Sequence, residues 1–264
     1  MIKLPLRSMI IAPKDHLILS CDLSQAESWV VAYLANDANM KDVLLRGVLH
    51  ETTARGIYNL TPDSIPSKEQ RYGGKKTNHS TAYRISAERA AEEYNLESPD
   101  GSTISVRQAR QFQTVWHELY PRIRGWWFDI DYTLAANHNT MVTPYGFPCT
   151  FYGILDSAMK KQATAFVPQS TVADHFNGKI QKGNEIPGGL LEFDRVAPKE
   201  VSIVNQSHDS FLAYVPKSIV MDVYHLAKKV FYRPVIIKGE ECWIPVDGEI
   251  GERWGELEKI KEVL

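Results

Sequence analysis

The chain has 264 residues, of which 44% are hydrophobic and 23% charged, so it can form a packed core and its composition argues against disorder. Its 30 Lys and Arg against 32 Asp and Glu give a formal net charge of −2, which excludes a protein that is basic overall. Any nucleic-acid-binding surface must therefore be a local patch. Three widely spaced cysteines argue against a disulfide framework or a cysteine zinc site. With no signal peptide and no apolar run of about 20 residues, we expect a soluble cytoplasmic protein that does not bind a membrane.

The first element is a short apolar strand over residues 16–21 that ends at Asp22. Ser24, followed three residues later by Glu27, has the capping-box pattern and predicts that a helix begins there. A carboxylate at the end of a strand is a common position for a catalytic or binding residue.

A mostly helical block follows. We predict helices over residues 41–58, 71–95, 105–120, 121–137 and 156–176, with a strand and turn at 143–152 and a loop at 177–189. A capping box at Ser67 precedes the second helix, Gly73-Gly74 weakens it, and Pro168 marks a kink or break in the last.

Two β-rich runs, residues 201–206 and 211–215, predict a hairpin with Asp209 at its tip. Residues 235–254 are predicted as strands before a short charged helix. Helices grouped against a few antiparallel strands indicate an α+β fold, in which the helical block forms its own lobe.

Arg71, Lys75, His79 and Tyr83 are spaced by four, so they share one stripe of a helix. Two cations and two flat rings suit a polyanion that carries a base. On spacing alone, a solvated amphipathic face is the better explanation.

Asp22 and Asp209 each lie at a predicted strand end. If they converge, they can hold two Mg²⁺ ions for phosphoryl transfer. Taken singly, each has a structural explanation: Asp22 as a turn former, Asp209 as a hairpin-turn residue and Glu27 as the capping partner of Ser24.

The order of these motifs resembles family A DNA polymerases, the bacterial DNA polymerase I type. Residues 22–27 (DLSQAE) resemble motif A, the Arg71 to Tyr83 spacing resembles motif B, and residues 206–209 (QSHD) resemble motif C. Residues 6–13, 50–54, 168–174 and 245–254 also resemble family segments, so the likeness covers nearly the whole chain.

The resemblance implies an antiparallel palm sheet with a largely helical fingers subdomain: palm over residues 1–35, fingers over 36–140 and palm again over 141–264. It implies DNA-templated DNA synthesis from dNTPs on primer–template DNA with two Mg²⁺ ions. The site residues that it implies are Asp22, Asp209 and the Leu23 carbonyl for metal binding; Glu27, His50, Arg71, Lys75, His79 and Tyr83 for the nucleotide; and Gln169 and His208 for the primer end.

Three residues depart from the family pattern. His79 replaces the usual Phe or Tyr, Trp29 stands where an Arg is typical, and Ser210 follows Asp209 where an acid is usual. A serine there resembles phage single-subunit RNA polymerases, but Glu27, which would exclude a 2′-hydroxyl, favours DNA as the product.

Only 21 residues precede Asp22, so we expect a phage-like chain without a thumb or a 3′–5′ exonuclease domain. Either a separate chain supplies those parts or this chain is a fragment. A non-catalytic polymerase-derived nucleic-acid-binding subunit and an RNA-synthesising relative remain as alternatives.

Overall fold

A computed structural model describes residues 6–179 and 185–260. The α-helices, in chain order, are α1 Ala26–Ala35, α2 Ala38–Leu45, α3 Leu49–Ile57, α4 Lys68–Ala82, α5 Ala87–Glu97, α6 Val106–Leu119, α7 Ile123–Ala136, α8 Ser157–Asn177, α9 Gly189–Val196 and α10 Val220–Phe231. The strands are β1 His16–Leu23, β2 Thr140–Val142, β3 Pro148–Thr150, β4 Ser202–Ser207, β5 Ser210–Pro216, β6 Pro234–Ile237, β7 Glu240–Trp243, β8 Val246–Gly251 and β9 Glu258–Lys259. The predicted α+β class is confirmed.

The chain divides into two compact units. The first, here called the sheet unit, comprises residues 1–26, 170–236 and 241–264, and the second, the helical unit, comprises residues 27–169 and 237–240. The predicted palm and fingers boundaries stay a prediction.

A five-stranded antiparallel sheet in the order β4-β5-β1-β8-β9 organises the sheet unit. Strand β1 is central, and its buried Cys21 lies opposite Phe211 of β5. The ring of Phe211 contacts the rings of Phe193 and Phe231, which come from α9 and α10 and cover this face. Because side chains alternate along a strand, Asp22 points to the other face of the sheet.

Helices α3 and α4 pack closely in the helical unit, and glycines in α4 make this possible. A methyl group on Gly73 would lie 2.3 Å from the Tyr58 hydroxyl oxygen, and one on Gly74 would lie 2.3 Å from the His50 carbonyl oxygen. The expected weakening of the helix at this glycine pair is wrong, because α4 runs unbroken from Lys68 to Ala82. Packing against α3 stabilises the helix at these glycines, and α4 ends only at Ala82.

Other boundaries also differ from expectation. The single helix predicted over 41–58 is two helices, α2 and α3, separated at Gly47, whose φ of 68° favours glycine. The helix predicted from Pro121 begins at Ile123. Helices α9 and α10 were not predicted.

The prediction of a charged helix after residue 254 is wrong for the described residues, because β9 forms there and pairs with β8. Residues 261–264 lie outside the described part of the chain. The loop predicted at 177–189 also falls partly outside it. Ser67 and Ser105 form capping boxes with Gln70 and Gln108, as the pattern at Ser67 predicted. In the described ranges, no helix is long and apolar enough to cross a membrane.

Candidate active site

The hairpin of β4 and β5 brings Asp209 to the end of β1. Asp22 lies opposite Ser210 in the β1–β5 register, and the next backbone N–H along β1, that of Leu23, donates a hydrogen bond of 3.0 Å to the carbonyl oxygen of Asp209. His208 and Asp209 form a two-residue turn, with His208 at a φ of 52°. Two carboxylates that are far apart in sequence are therefore neighbours in the sheet unit.

The environment of Asp22 is strongly acidic. Burial, and after it the charges of Asp209, Asp247 and Glu249, together raise the pKa of this carboxyl to about 6, although Lys259 opposes them. Such like charges repel one another unless a cation neutralises them.

Strand β8 supplies acidic residues that the sequence analysis missed. Asp247 lies opposite Asp22 and Glu249 opposite Ser20, so both acids share the face of Asp22. The ammonium of Lys259 lies 3.3 Å from the Asp247 carboxylate. Acids at alternating positions of a predicted strand were the available signal, but the pairing of that strand with β1 cannot be read from its own residues.

This donor set suits a hard cation. Carboxylate and carbonyl oxygens are the ligands that Mg²⁺ prefers, and Mg²⁺ characteristically keeps water and substrate phosphates as further ligands. Within residues 6–179 and 185–260, no group of three or more His, Cys, Asp or Glu side chains is arranged to hold an ion by itself. The oxygen donors around Asp22 are nevertheless of the kind that binds a divalent cation.

The stripe on α4 belongs to the helical unit. Arg71, Lys75 and His79 are exposed on this helix, whereas Tyr83 is its buried C-terminal cap. The guanidinium of Arg71 is held by the Glu51 carboxylate at 2.5 Å. Arg71, Lys75 and His79 thus form a solvent-facing row, here called the stripe, and Tyr83 is not part of it.

His50, on α3, lies near the two cations of this stripe. Its Nδ1 is 3.1 Å from the side-chain amide nitrogen of Asn78, which can only donate, so the ring carries its proton on Nε2. Burial, and after it the nearby charges of Arg71 and Lys75, together lower the pKa of His50 to about 4. His50 is therefore a neutral hydrogen-bond donor at pH 7.

Asn78 is a further residue that the sequence analysis missed. It is buried, and its side-chain oxygen accepts hydrogen bonds from the Thr53 hydroxyl at 2.8 Å and the Trp116 indole at 2.7 Å. This network sets the direction of the amide and thereby the tautomer of His50. One asparagine inside a polar helix carries no signal for such a role.

Glu27 and Tyr83 are also brought together. The buried Tyr83 hydroxyl donates a hydrogen bond to the Glu27 carboxylate, and burial together with that charge raises the pKa of Tyr83 well above its usual value. The His79 and Tyr83 rings pack edge to face, with their centroids 5.5 Å apart. Helix α1 begins at Ala26, and the carboxylate of Glu27 is bound to Tyr83 rather than acting as a capping partner of Ser24.

The remaining predicted residues occupy separate places. Gln169 is exposed on α8, directly after Pro168, which lies inside the continuous helix. His208 is exposed at the hairpin tip, where its carbonyl oxygen accepts a hydrogen bond from the Gln206 amide. Trp29 stands where the family pattern has an arginine. It is buried, with 4% of its surface exposed, and packs in the core.

The family model for DNA polymerase family A matches residues 2–256. The chain belongs to this family. The predicted membership, in its palm and fingers region, is confirmed.

Among curated relatives, the thermostable DNA polymerase I of Thermus filiformis is 24% identical over 260 residues, which is 93% of this chain and 28% of that protein. DNA polymerase I of Bacillus caldotenax is 26% identical over 94% of this chain and 27% of its own length. The chain thus spans less than a third of these relatives.

Among solved structures, the POL domain of Pol1 from M. smegmatis, in complex with DNA primer-template and dNTP, superposes with a TM-score of 0.73. The match covers 96% of this chain and 43% of that one at 18% identity, and it supports the fold alone.

Proposed function

We propose that this chain carries out DNA-templated DNA synthesis, transferring a nucleotide from a dNTP to a primer 3′-hydroxyl. The observation that carries the proposal is the placement of Asp209 beside Asp22 in a chain of DNA polymerase family A. The reaction is an in-line attack of the 3′-hydroxyl on the α-phosphate with release of pyrophosphate, and the protein contributes positioning and electrostatic stabilisation.

The sheet unit would supply the metal-binding groups. Asp22 and Asp209, together with the carbonyl oxygen of Leu23, would hold two Mg²⁺ ions. When bound, these ions lower the pKa of the attacking hydroxyl and stabilise the leaving phosphate. The raised pKa of Asp22 supports this role, because a site with excess negative charge has a high affinity for a divalent cation.

The helical unit would bind the triphosphate. Arg71 and Lys75 are exposed cations on one face of α4, and the Glu51 ion pair holds the Arg71 side chain in place. His50 would donate a hydrogen bond from Nε2 to a phosphate oxygen, since Asn78 occupies its Nδ1. A neutral ring can do this without a change of protonation at pH 7.

Glu27 would select the sugar. Its carboxylate, fixed by the Tyr83 hydroxyl, would lie against C2′ of the incoming nucleotide and exclude a 2′-hydroxyl. The exposed ring of His79, packed edge to face on Tyr83, would stack on the nucleotide sugar and base. Gln169 and His208 would contact the primer end.

Primer extension tests the proposal. Wild-type protein with Mg²⁺, dNTPs and primer–template should incorporate nucleotides, with or without an added thumb-bearing chain, and Asp22→Ala and Asp209→Ala should each abolish incorporation. Asp63→Ala, an exposed loop carboxylate, is the matched control and should keep wild-type activity. Equal incorporation by all four proteins would contradict the proposal. Salt-sensitive DNA binding with no product under any condition would favour the non-catalytic alternative.

The sugar preference separates DNA from RNA synthesis. Because removing a steric clash changes selectivity about tenfold or more, Glu27→Ala should reduce the dNTP-to-rNTP preference by at least that factor. A wild-type preference for rNTPs that Glu27→Ala leaves unchanged would favour the RNA-synthesising alternative, to which the serine at position 210 points.

A further inference from the structure

A cleft lies wholly within the helical unit, between the C-terminal end of α4 and helices α6 and α7. Its volume is about 320 Å³, which is the size of a small-ligand site. Among the described residues that line it, three are arginines, Arg84, Arg110 and Arg124, and none is acidic. The lining therefore favours an anionic ligand.

Three residues of the lining each carry a buried polar atom with no hydrogen-bond partner in the described part of the chain. These atoms are the Thr81 hydroxyl oxygen, Nε of Arg84 and Nδ1 of His117. Thr81 is only 2% exposed, so water does not readily supply the missing hydrogen-bond partner of its hydroxyl. Buried polar atoms are nearly always paired in folded proteins, and three exceptions around one cleft indicate that a ligand supplies the missing partners.

The three guanidinium groups differ in how far they are neutralised. Arg84 is held by Asp131 at 2.8 Å and by the Trp127 carbonyl oxygen at 2.6 Å, with its Nε left unpaired. Arg110 pairs with Glu88, but both side chains are more than half exposed, so the pair is weak.

Arg124 has no ion pair among the described residues, and its charge helps burial to lower the pKa of His117 to about 4. The cleft therefore has uncompensated positive charge, and its neutral imidazole can share a hydrogen bond with an oxyanion.

Guanidinium groups with a hydroxyl and an imidazole form a donor set for phosphate, whose oxygens accept several hydrogen bonds at once. The cleft is separate from the stripe of Arg71, Lys75 and His79. Thr81 is two residues beyond His79, a rotation of about 200° around α4, so it faces the opposite side of the helix.

We propose that this cleft binds a phosphate group carried by a nucleotide or by a single strand of nucleic acid, as a second anion site distinct from the stripe on α4. Binding there goes beyond the proposed catalysis and can be measured without any synthesis.

The test measures binding of three probes at constant ionic strength: inorganic phosphate, a deoxynucleoside monophosphate and a single-stranded oligothymidine. Arg124→Gln should weaken binding of at least one probe by about tenfold, the usual effect of losing one charge-assisted hydrogen bond. Arg107→Gln, an exposed arginine of α6 outside the cleft, is the charge-matched control and should change it less than twofold. Thermal unfolding should show that both variants are folded.

The probes separate the sources of the phosphate. Arg124-dependent binding of inorganic phosphate and the monophosphate identifies a nucleotide site, and such binding of the oligonucleotide alone identifies a strand site. Either result supports the proposal.

A second readout locates the ligand. The indole N–H signal of Trp127, which lines the cleft and donates to the Ala82 carbonyl oxygen, should shift in an NMR titration with the bound probe, and Trp127→Phe assigns it. Equal weakening by Arg124→Gln and Arg107→Gln, or a Trp127 signal that does not move at saturation, would overturn the proposal.

Discussion

Replacing Asp22 with asparagine should stabilise the metal-free protein at pH 8, although it removes a predicted metal ligand. The carboxyl of Asp22 has a pKa of about 6 in the folded chain against an ordinary value of 3.8, because of burial and three neighbouring acids. The folded state thus binds this proton more tightly than the unfolded state. The resulting loss of stability is absent below pH 3.8, grows between pH 3.8 and 6, and is complete above that range.

The magnitude follows from the pKa difference. The difference between a pKa of 3.8 in the unfolded chain and about 6 in the folded chain corresponds to ~3 kcal/mol at pH 8. Asp22 is only partly buried, so solvent screening reduces this value, and we expect a gain of about 1 to 2 kcal/mol for Asp22→Asn. The amide has nearly the same shape as the acid, so little of the gain should remain at pH 4.

Urea unfolding in EDTA at pH 4 and pH 8 measures this difference. Asp63→Asn, in an exposed loop, controls for the general effect of removing one negative charge from a chain of net charge −2. Adding Mg²⁺ at pH 8 should stabilise the wild type more than Asp22→Asn, since bound ions neutralise the same repulsion. An Asp22→Asn protein that is no more stable than wild type at pH 8 in EDTA, or equally stabilised at pH 4, would refute the reasoning.

Two further predictions concern packing and cysteine reactivity. Gly74→Ala should destabilise the protein by about 1 to 3 kcal/mol, because the added methyl would lie 2.3 Å from a backbone oxygen of α3. Gly125→Ala has open space around it in α7 and should stabilise the protein by up to ~1 kcal/mol. Thermal or urea unfolding measures both effects. Equal effects of the two alanines would contradict the close α3–α4 contact. A thiol reagent should label the half-buried Cys149 in the folded protein, but Cys21 and Cys242 only after unfolding, because both are buried and burial raises the pKa of the Cys21 thiol; fast labelling of all three would contradict this.

The residues of the candidate site could be predicted where a pattern joins distant segments. Nothing local to Asp22 or Asp209 shows that they meet, and each had an adequate structural explanation alone. The ordered set of three motifs made the meeting predictable, and the β1–β5 register bears it out. Asp247 could not be predicted in this way, because its role depends on which strand β8 pairs with.

Helix boundaries show a different limit of sequence reasoning. Gly47 ends α2, whereas Gly73 and Gly74 lie inside an intact α4, although all three are the same residue type. The difference comes from tertiary packing. Helix α3 lies against Gly73 and Gly74, whereas nothing lies within 4 Å of a methyl group placed on Gly47. Asn78 was missed for a similar reason, because its burial depends on α3 and α6 rather than on its neighbours in sequence.

The central position of β1 has a consequence for synthesis of the protein on the ribosome. Both hydrogen-bonding edges of this early strand are filled by β5 and β8, which are translated near the end of the described chain. The nascent strand must therefore wait, unpaired, while the intervening residues emerge, and contacts of such long sequence separation form slowly. Residues 27–169, which make up most of the helical unit, emerge during that interval and can fold then. A translation pause between β1 and β8 would leave an exposed edge strand that is prone to aggregate.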